Sequence, residues 1–365
     1  MLIGELRVCV ELTLSIRDYN ADSLGGFLSQ HRRLVVLGGA GYIGSIFCAQ
    51  ALTAGYEVIV YDNFSTGNTW AIPKRAILVE GDIRDLSAMK SVMVGADAVV
   101  HFAAKSEVAE SVIHPELYFD NNVGGTEIVL KAMGFAGVRT LIFSSTAAVY
   151  GAPSCPDKQL LDESFSCDPI NPYGLSKLRA ENLIQEWAQS DGNTAIIFRY
   201  FNAAGACLRS LLGELHDPET HLIPNVIKAA LTDGLRQVHI FGDNYDTPDG
   251  TCVRDYIHVT DIAIAHLKGL QKKWMNQSGS IVYNLGNACG ISVMQVVHEV
   301  EKVAQKRVKY VISDRRQGDP EMLVASSEKI RRDLGWVPEQ SDLNRIIETA
   351  YRWHKFYDAK YPREN

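Results

Sequence analysis

Leu34-Val35-Val36-Leu37-Gly38-Gly39-Ala40-Gly41-Tyr42-Ile43-Gly44 is the stretch from which the rest of the chain is read. Four apolar residues in a row predict a buried strand of the parallel-sheet kind. The run stops in a glycine-rich turn, and Ser45 to Ala54 then reads as a helix closed by Gly55. A second apolar strand, Glu57 to Tyr61, completes a β-α-β unit. The spacing Gly38-x-x-Gly41-x-x-Gly44 permits a tight turn, close approach of the backbone to a pyrophosphate, and close packing of helix on strand. Asp62 ends the second strand, where a carboxylate accepts both ribose hydroxyls and repels a 2′-phosphate. That order of parts favours NAD over NADP.

Outward from this unit the pattern repeats. Strands are predicted at Ile77 to Val79, Ala98 to His101 and Thr140 to Ser144, separated by helices near Ser87 to Val94 and Gly124 to Phe135. Alternation of this kind predicts an α/β protein with a Rossmann-type doubly wound parallel sheet. Asp82-Ile83 and Phe102-Ala103-Ala104 follow strands, on the rim where open α/β sheets bind ligands. Past Asn202 the alternation breaks into Gly- and Pro-containing segments such as His216 to Pro224 and Ile240 to Thr251. These suit a smaller C-terminal α/β lobe, with a ligand cleft between the two. The division expected is 1–31 as an extension with no assigned role, 32–203 as an NAD-binding domain, and 204–365 as mainly a substrate lobe. Some segments of that lobe are expected to return to the first domain.

Asn171-Pro172-Tyr173-Gly174-Leu175-Ser176-Lys177 predicts a helix start, with Asn as N-cap and Pro at the first helical position. Tyr173 and Lys177 then share one face at i, i+4. An ammonium beside a phenol favours the phenolate, so the pair is a candidate proton-transfer unit. Thr146, at the end of the preceding strand, offers a hydroxyl to the same proton.

Composition narrows the partners. The 365 residues, 46% hydrophobic, supply a substantial core. A formal net charge of −7 argues against nucleic acid or an anionic membrane surface as the main partner. The seven cysteines are scattered with no C-x-x-C, which fits a reducing compartment, and no metal-ligand spacing stands out. No apolar run reaches the roughly 20 residues that cross a bilayer. The acidic residues Glu5, Glu11, Asp18 and Asp22 count against a transit peptide in the first 31 residues.

The glycine loop, the Ser144-Ser145-Thr146 strand end and Tyr173-x-x-x-Lys177 together resemble the extended short-chain dehydrogenase/reductase family. Further strings resemble its NAD-dependent UDP-sugar 4-epimerase branch: His101-Phe102-Ala103-Ala104, Asp120-Asn121-Asn122-Val123, Arg199-Tyr200-Phe201-Asn202 and Arg254-Asp255-Tyr256-Ile257-His258. The likeness runs from about Arg33 to about Trp353. It implies that Tyr173 is the catalytic base, Lys177 its ribose-binding partner, and Thr146 the hydroxyl on the sugar 4-oxygen. It also implies a cofactor site of Gly38, Gly41, Tyr42, Ile43, Gly44, Asp62, Asn63, Asp82, Ile83, Phe102, Ala103, Ala104, Asn121 or Asn122, Tyr173, Lys177 and Tyr200. Thr146, Asn202, His221, Leu222, Phe241, Arg254, Arg316 and Asp319 fall on substrate-binding positions, the arginines suited to a diphosphate. His221 is expected to meet uridine or phosphate. Lys105 stands one position early for the lysine that many relatives place near the cofactor, and Leu323 stands where the family sets the space around the sugar.

The activity implied is an isomerase: interconversion of UDP-glucose and UDP-galactose by transient oxidation at sugar C4, with NAD tightly bound and no net redox change. Other UDP-sugars, UDP-N-acetylglucosamine or UDP-xylose/arabinose, are the alternative substrates, and a non-catalytic NAD-sensing protein is a distant alternative. Related dehydratases carry an Asp-Glu pair after the strand-end Thr; Ala147 and Ala148 stand there and have no proton to give. The resemblance further implies a cytoplasmic homodimer, paired through the helix beginning near Gly124 and the helix of Tyr173.

Overall fold

The computed structural model describes residues 32–153, 160–190, 192–232, 235–271, 278–316 and 319–360. The 1–31 extension, Cys9, Cys155 and Gly318 lie outside the described residues. Strand β1 (Arg33–Leu37) sits near the middle of a seven-stranded, wholly parallel sheet. The others are β2 (Glu57–Asp62), β3 (Ile77–Glu80), β4 (Ala98–His101), β5 (Thr140–Thr146), β6 (Thr194–Tyr200) and β7 (Gly279–Leu285). Their spatial order is β7-β6-β5-β4-β1-β2-β3. The chain therefore leaves β1 in one direction and returns to its other side at β4, so that a crevice opens at the strand C-termini between them.

The β1 run is apolar throughout because both of its faces are covered. Leu34 and Val36 join one core with Ile46 and Phe47 of helix α1 (Tyr42–Thr53), while Val35 and Leu37 join the opposite core with Met89 of α2 (Leu86–Val92) and Val129 and Met133 of α3 (Gly125–Ala136). Burying one such side chain is worth roughly 1.5–3 kcal/mol. Helix α4 (Pro172–Ala188) covers the same second face through Ala180 and Ile184.

The remaining helices are divided between two cores. Those of α5 (Leu222–Leu231), α7 (Val293–Ala304) and α8 (Leu343–Lys360) close on one another through Ile227, Val297 and Ile347. Helix α6 (Val259–Gln271) instead returns to the large sheet, where Ile262 and Leu267 pack in the core of Ile46 and Phe47. Strand β7 likewise adds to β6, Tyr283 opposite Phe198. Between the two bodies runs Val253–His258, paired at its far end with Asn202–Ala204 and at its near end with Gly290–Ser292 and Met322–Leu323. No helix among the described residues is long and apolar enough to cross a membrane.

Candidate active site

A cleft of about 1140 Å³ opens over the C-terminal ends of β1, β4 and β5. Its floor is the glycine loop. Gly38 has φ +75°, and a Cβ there would lie 2.5 Å from the Ala103 amide nitrogen. At Gly44 a Cβ would lie 2.2 Å from the Gly38 carbonyl oxygen. Helix α1 begins at Tyr42, earlier than its apolar spacing indicated, because Gly41 takes the N-cap position. No side chain bonds to that end, which leaves its first amides to a diphosphate. Asp62 closes β2 with its carboxylate held by the Ala40 amide at 2.9 Å and the Phe64 amide at 2.9 Å. These residues fit the dinucleotide expected: a narrow loop, an uncapped helix end, and a fixed carboxylate beside it.

Helix α4 starts as its sequence predicts, with Asn171 Oδ1 accepting from the Gly174 amide at 2.8 Å and Pro172 in the first turn. Tyr173, Lys177 and Thr146 all line the cleft, the Thr146 hydroxyl near enough to the Tyr173 phenol to act on its proton affinity. Thr146 Oγ1 accepts from the Ala148 amide at 3.1 Å, which fixes its rotamer. The electrostatics differ from the simple expectation of a lysine lowering a tyrosine. Burial raises the Tyr173 phenol above its ordinary value, the Thr146 hydroxyl pulls it back, and the Glu107 carboxylate adds to the rise. Lys177 is itself 3% exposed, its Nζ 4.1 Å over the Phe143 ring. Burial pulls its ammonium down to about 7 against the opposing charge of Glu181.

A polar network behind this trio fixes its geometry. Glu181, fully buried and one turn beyond Lys177, accepts from Ser145 Oγ and from Arg199 Nη2 at 2.7 Å. Arg199 Nη1 donates to the Tyr150 hydroxyl at 3.0 Å, which donates to Asn284 Oδ1 at 2.8 Å. Asn122 bonds to both backbone groups of Lys105 and to Ser176 Oγ. Tyr200 donates to His266 Nε2 at 2.7 Å, the His266 Nδ1 proton going to the Ile262 carbonyl. Glu181 was legible as the next i+4 position after Lys177. His266 had no signal, because only the return of α6 to the sheet brings it there.

The opposite wall carries Asn202, His221, Leu222, Phe241, Arg254, Arg316, Asp319 and Leu323. Arg254 is held by Asp319 Oδ1 at 2.7 Å and by the Pro320 carbonyl at 2.8 Å. Arg316 lies 4.0 Å over the Phe241 ring and faces the cleft, whereas its neighbour Arg315 turns away to Tyr245 and Asn244. Adjacent arginines thus have different environments.

The cofactor positions also line the cleft, Asn63, Ile83, Phe102, Ala104, Asn121 and Tyr200 among them, with one exception. Asp82 lies off the cleft lining, its carboxylate held by Arg84 Nε at 2.8 Å and Asn63 Nδ2 at 3.0 Å. Those bonds, Arg84's foremost, hold it well below the usual carboxylate range. Of the asparagine pair, Asn121 lines the cleft and Asn122 is buried in the network above. Lys105 lines the cleft with Nζ 3.7 Å from Glu110 Oε2. His221 lines the cleft with Nδ1 directed at Glu214 Oε1 at 2.9 Å and Glu219 Oε1 at 3.3 Å. His216 faces the same two oxygens. Burial alone would lower both imidazoles; the carboxylates reverse this and raise His216 to about 9 and His221 to about 11. In the sequence this cluster is Glu-x-His-x-x-Glu-x-His over 214–221, four ligand-type side chains within eight residues.

The chain matches the NAD dependent epimerase/dehydratase family over residues 34–286. It is 45% identical over 333 residues to a UDP-glucose 4-epimerase of Streptomyces lividans, covering 90% of this chain and 98% of that one. The fold superposes on the UDP-glucose 4-epimerase of Brucella ovis in complex with NAD with a TM-score of 0.83, at 41% identity and 88% and 98% coverage. On the Bifidobacterium longum UDP-glucose 4-epimerase in complex with NAD+ and UDP it superposes with a TM-score of 0.82, at 36% identity and 90% and 99% coverage.

Proposed function

Because the chain belongs to the NAD dependent epimerase/dehydratase family, we propose that it is a UDP-glucose 4-epimerase that interconverts UDP-glucose and UDP-galactose through this cleft. The observation that carries the reading is the joint placement of Thr146, Tyr173 and Lys177 in one cleft with a glycine cradle and with Arg254 and Arg316. The hydrogen on hexose C4 is not acidic, so a base alone cannot invert that carbon. NAD, which the glycine loop and Asp62 would hold, would supply two-electron redox chemistry at that carbon. Tyr173 takes the proton of the 4-hydroxyl and later gives it back, and Thr146 orients that oxygen.

Tyr173 is half-buried in the cleft wall, where desolvation raises its phenol, so it needs positive charge close by to act as base near neutral pH. The oxidised nicotinamide would supply that charge when bound; Lys177, held over the Phe143 ring with its ammonium pulled down to about 7, is only partly charged near neutral pH and adds a smaller share. Arg254 and Arg316 hold the diphosphate while the sugar turns to offer its second face. Ala147 and Ala148 line the cleft where a dehydratase needs an acid, which supports epimerisation over elimination.

We assign the NAD site to residues 32–203 and the UDP-sugar contacts mainly to 204–365. A cytoplasmic homodimer is part of the same reading. Cys48, Cys167, Cys207, Cys252 and Cys289 are free thiols, as a reducing compartment keeps them. Val112 and Ile113 on Val108–Ile113 and Leu117 on Pro115–Tyr118, two short helices packed on α4, and Phe135 on α3 are exposed apolar residues suited to a second copy.

The test is incubation of purified protein with UDP-galactose and no added NAD, followed by chromatography of the nucleotide sugars. Conversion to UDP-glucose is expected. Failure with NAD supplied, from folded protein, would reject this substrate pair, and UDP-N-acetylglucosamine and UDP-xylose would be tried next.

A further inference from the structure

We propose that Glu214, His216, Glu219 and His221 form a closed, tetrahedral site for one divalent zinc-type cation, which pins the rim of the cleft and takes no part in the chemistry. The four residues lie on the segment between Leu212–Gly213 and α5, and their donor atoms all lie within 4.8 Å of one another. The separations between imidazole nitrogens and carboxylate oxygens are 2.9 and 3.3 Å for His221, and 3.5 and 3.8 Å for His216. Ligands at roughly 2.0–2.2 Å from a tetrahedral zinc are roughly 3.3–3.6 Å apart. The observed edges scatter around that value.

The arrangement is that of ligands converging on a point. Both Nδ1 atoms face the same two oxygens, Glu214 Oε1 and Glu219 Oε1, so the groups do not separate into two ion pairs. His216 Nδ1 is buried and has no hydrogen-bond partner of acceptable geometry. Glu214 and Glu219 are nearly sealed, with side chains 7% and 3% exposed. Two carboxylates so close need two positive charges, which one dication supplies with both imidazoles neutral. Mixed imidazole and carboxylate donors in tetrahedral array suit zinc.

The surroundings are organised as an outer shell. Lys228 Nζ lies 3.5 Å from the second oxygen of Glu219, and Asn225 Nδ2 donates to the backbone carbonyls of Glu219 and His221. Four protein ligands leave no open position, so the site is structural. Its effect reaches the cleft because Thr220 Oγ1, between two of the ligands, donates to Glu107 Oε2 at 2.7 Å on the facing wall. Glu107 is one of the charges that raise Tyr173.

The experiment takes the untagged full chain with its NAD bound, dialyses it against a chelator, and titrates it with zinc chloride and cobalt chloride. One zinc retained per chain through gel filtration, and cobalt absorption bands of tetrahedral strength, are expected. Both should be lost in His216→Ala and in Glu219→Gln, with the NAD content of each variant showing that it has folded. If a variant does not fold, the cobalt spectrum of the unaltered chain decides by itself. Absence of retained zinc and of tetrahedral cobalt bands would overturn the proposal and leave the cluster as protonated imidazoles paired with carboxylates. Zinc binding unchanged in a folded His216→Ala variant would overturn it too, by placing the metal elsewhere.

Discussion

Tyr173 is half-buried in the cleft wall, and its phenol stands above the ordinary value with only Thr146 on the lowering side. Removing the hydroxyl deletes the acid-base group while leaving the ring against Tyr118, centroids 6.3 Å apart, undisturbed. Tyr173→Phe should therefore lower kcat by about 10²- to 10⁴-fold. Nucleotide released on denaturation should stay at the unaltered level, which separates lost chemistry from lost cofactor. Glu181 is a different case because it holds a buried charge. Glu181→Gln leaves Arg199 without its carboxylate, and loss of one member of a buried pair costs about 3–5 kcal/mol. A urea unfolding midpoint close to that of the unaltered chain would show that the network does not brace this helix. The i, i+4 face of Tyr173, Lys177 and Glu181 was legible in the sequence, but the sign of the Tyr173 shift was not. Burial sets that sign, and burial comes from contacts distant in the chain.

At the scale of elements, the glycine turn and α1 act as one unit. Gly44→Ala would drive a methyl into the Gly38 carbonyl, a backbone atom that has no easy way to yield. The turn must open, and with it the cradle for the diphosphate. The variant should purify with little or no bound dinucleotide, measured by absorbance and chromatography of the released nucleotide, and should melt at a lower temperature. Retention of a full complement would contradict the role given to this turn. Most strands were readable because parallel strands buried on both faces are uninterrupted apolar runs. Helix ends were less so. A wider π-type turn over Phe119–Gly124 precedes α3, and no local propensity announces it. That turn carries Asn121 to the cleft and Asn122 into the interior, the choice between them that sequence left open.

Over the described residues, four buried histidines resist protonation. Burial lowers His101 to about 3, His258 to about 3, His266 to about 4 and His354 to about 4, with Lys177, Arg345 and Lys228 adding to the first, second and last. The unfolded chain binds protons at these sites from about pH 6.5 downward, and the folded chain does not until near pH 3–4. More protons bound in the unfolded state means that stability falls as pH falls across that window. Asp255, whose carboxyl burial raises to about 7, opposes one of these rings over the same window; the others outweigh it, so melting temperature should decline from pH 6.5 towards pH 4, and a flat profile there would mean that the rings are not held neutral. The proposed homodimer is tested at this scale as well: sedimentation should give twice the chain mass, and charged substitutions at Ile113 and Phe135 should return monomers.

The sequence by itself determined the parallel sheet, the nucleotide-binding turn, the carboxylate after β2 and the tyrosine-lysine face, since each rests on neighbours within one or two turns of chain. Tertiary structure decided the rest. It separated Arg316 from Arg315, took Asp82 off the cleft lining, turned His221 towards Glu214 and Glu219, and set His266 behind Tyr200. In each case a side chain's partner, and so its charge and direction, comes from a segment remote in sequence. Local pattern holds no information about which remote group will arrive.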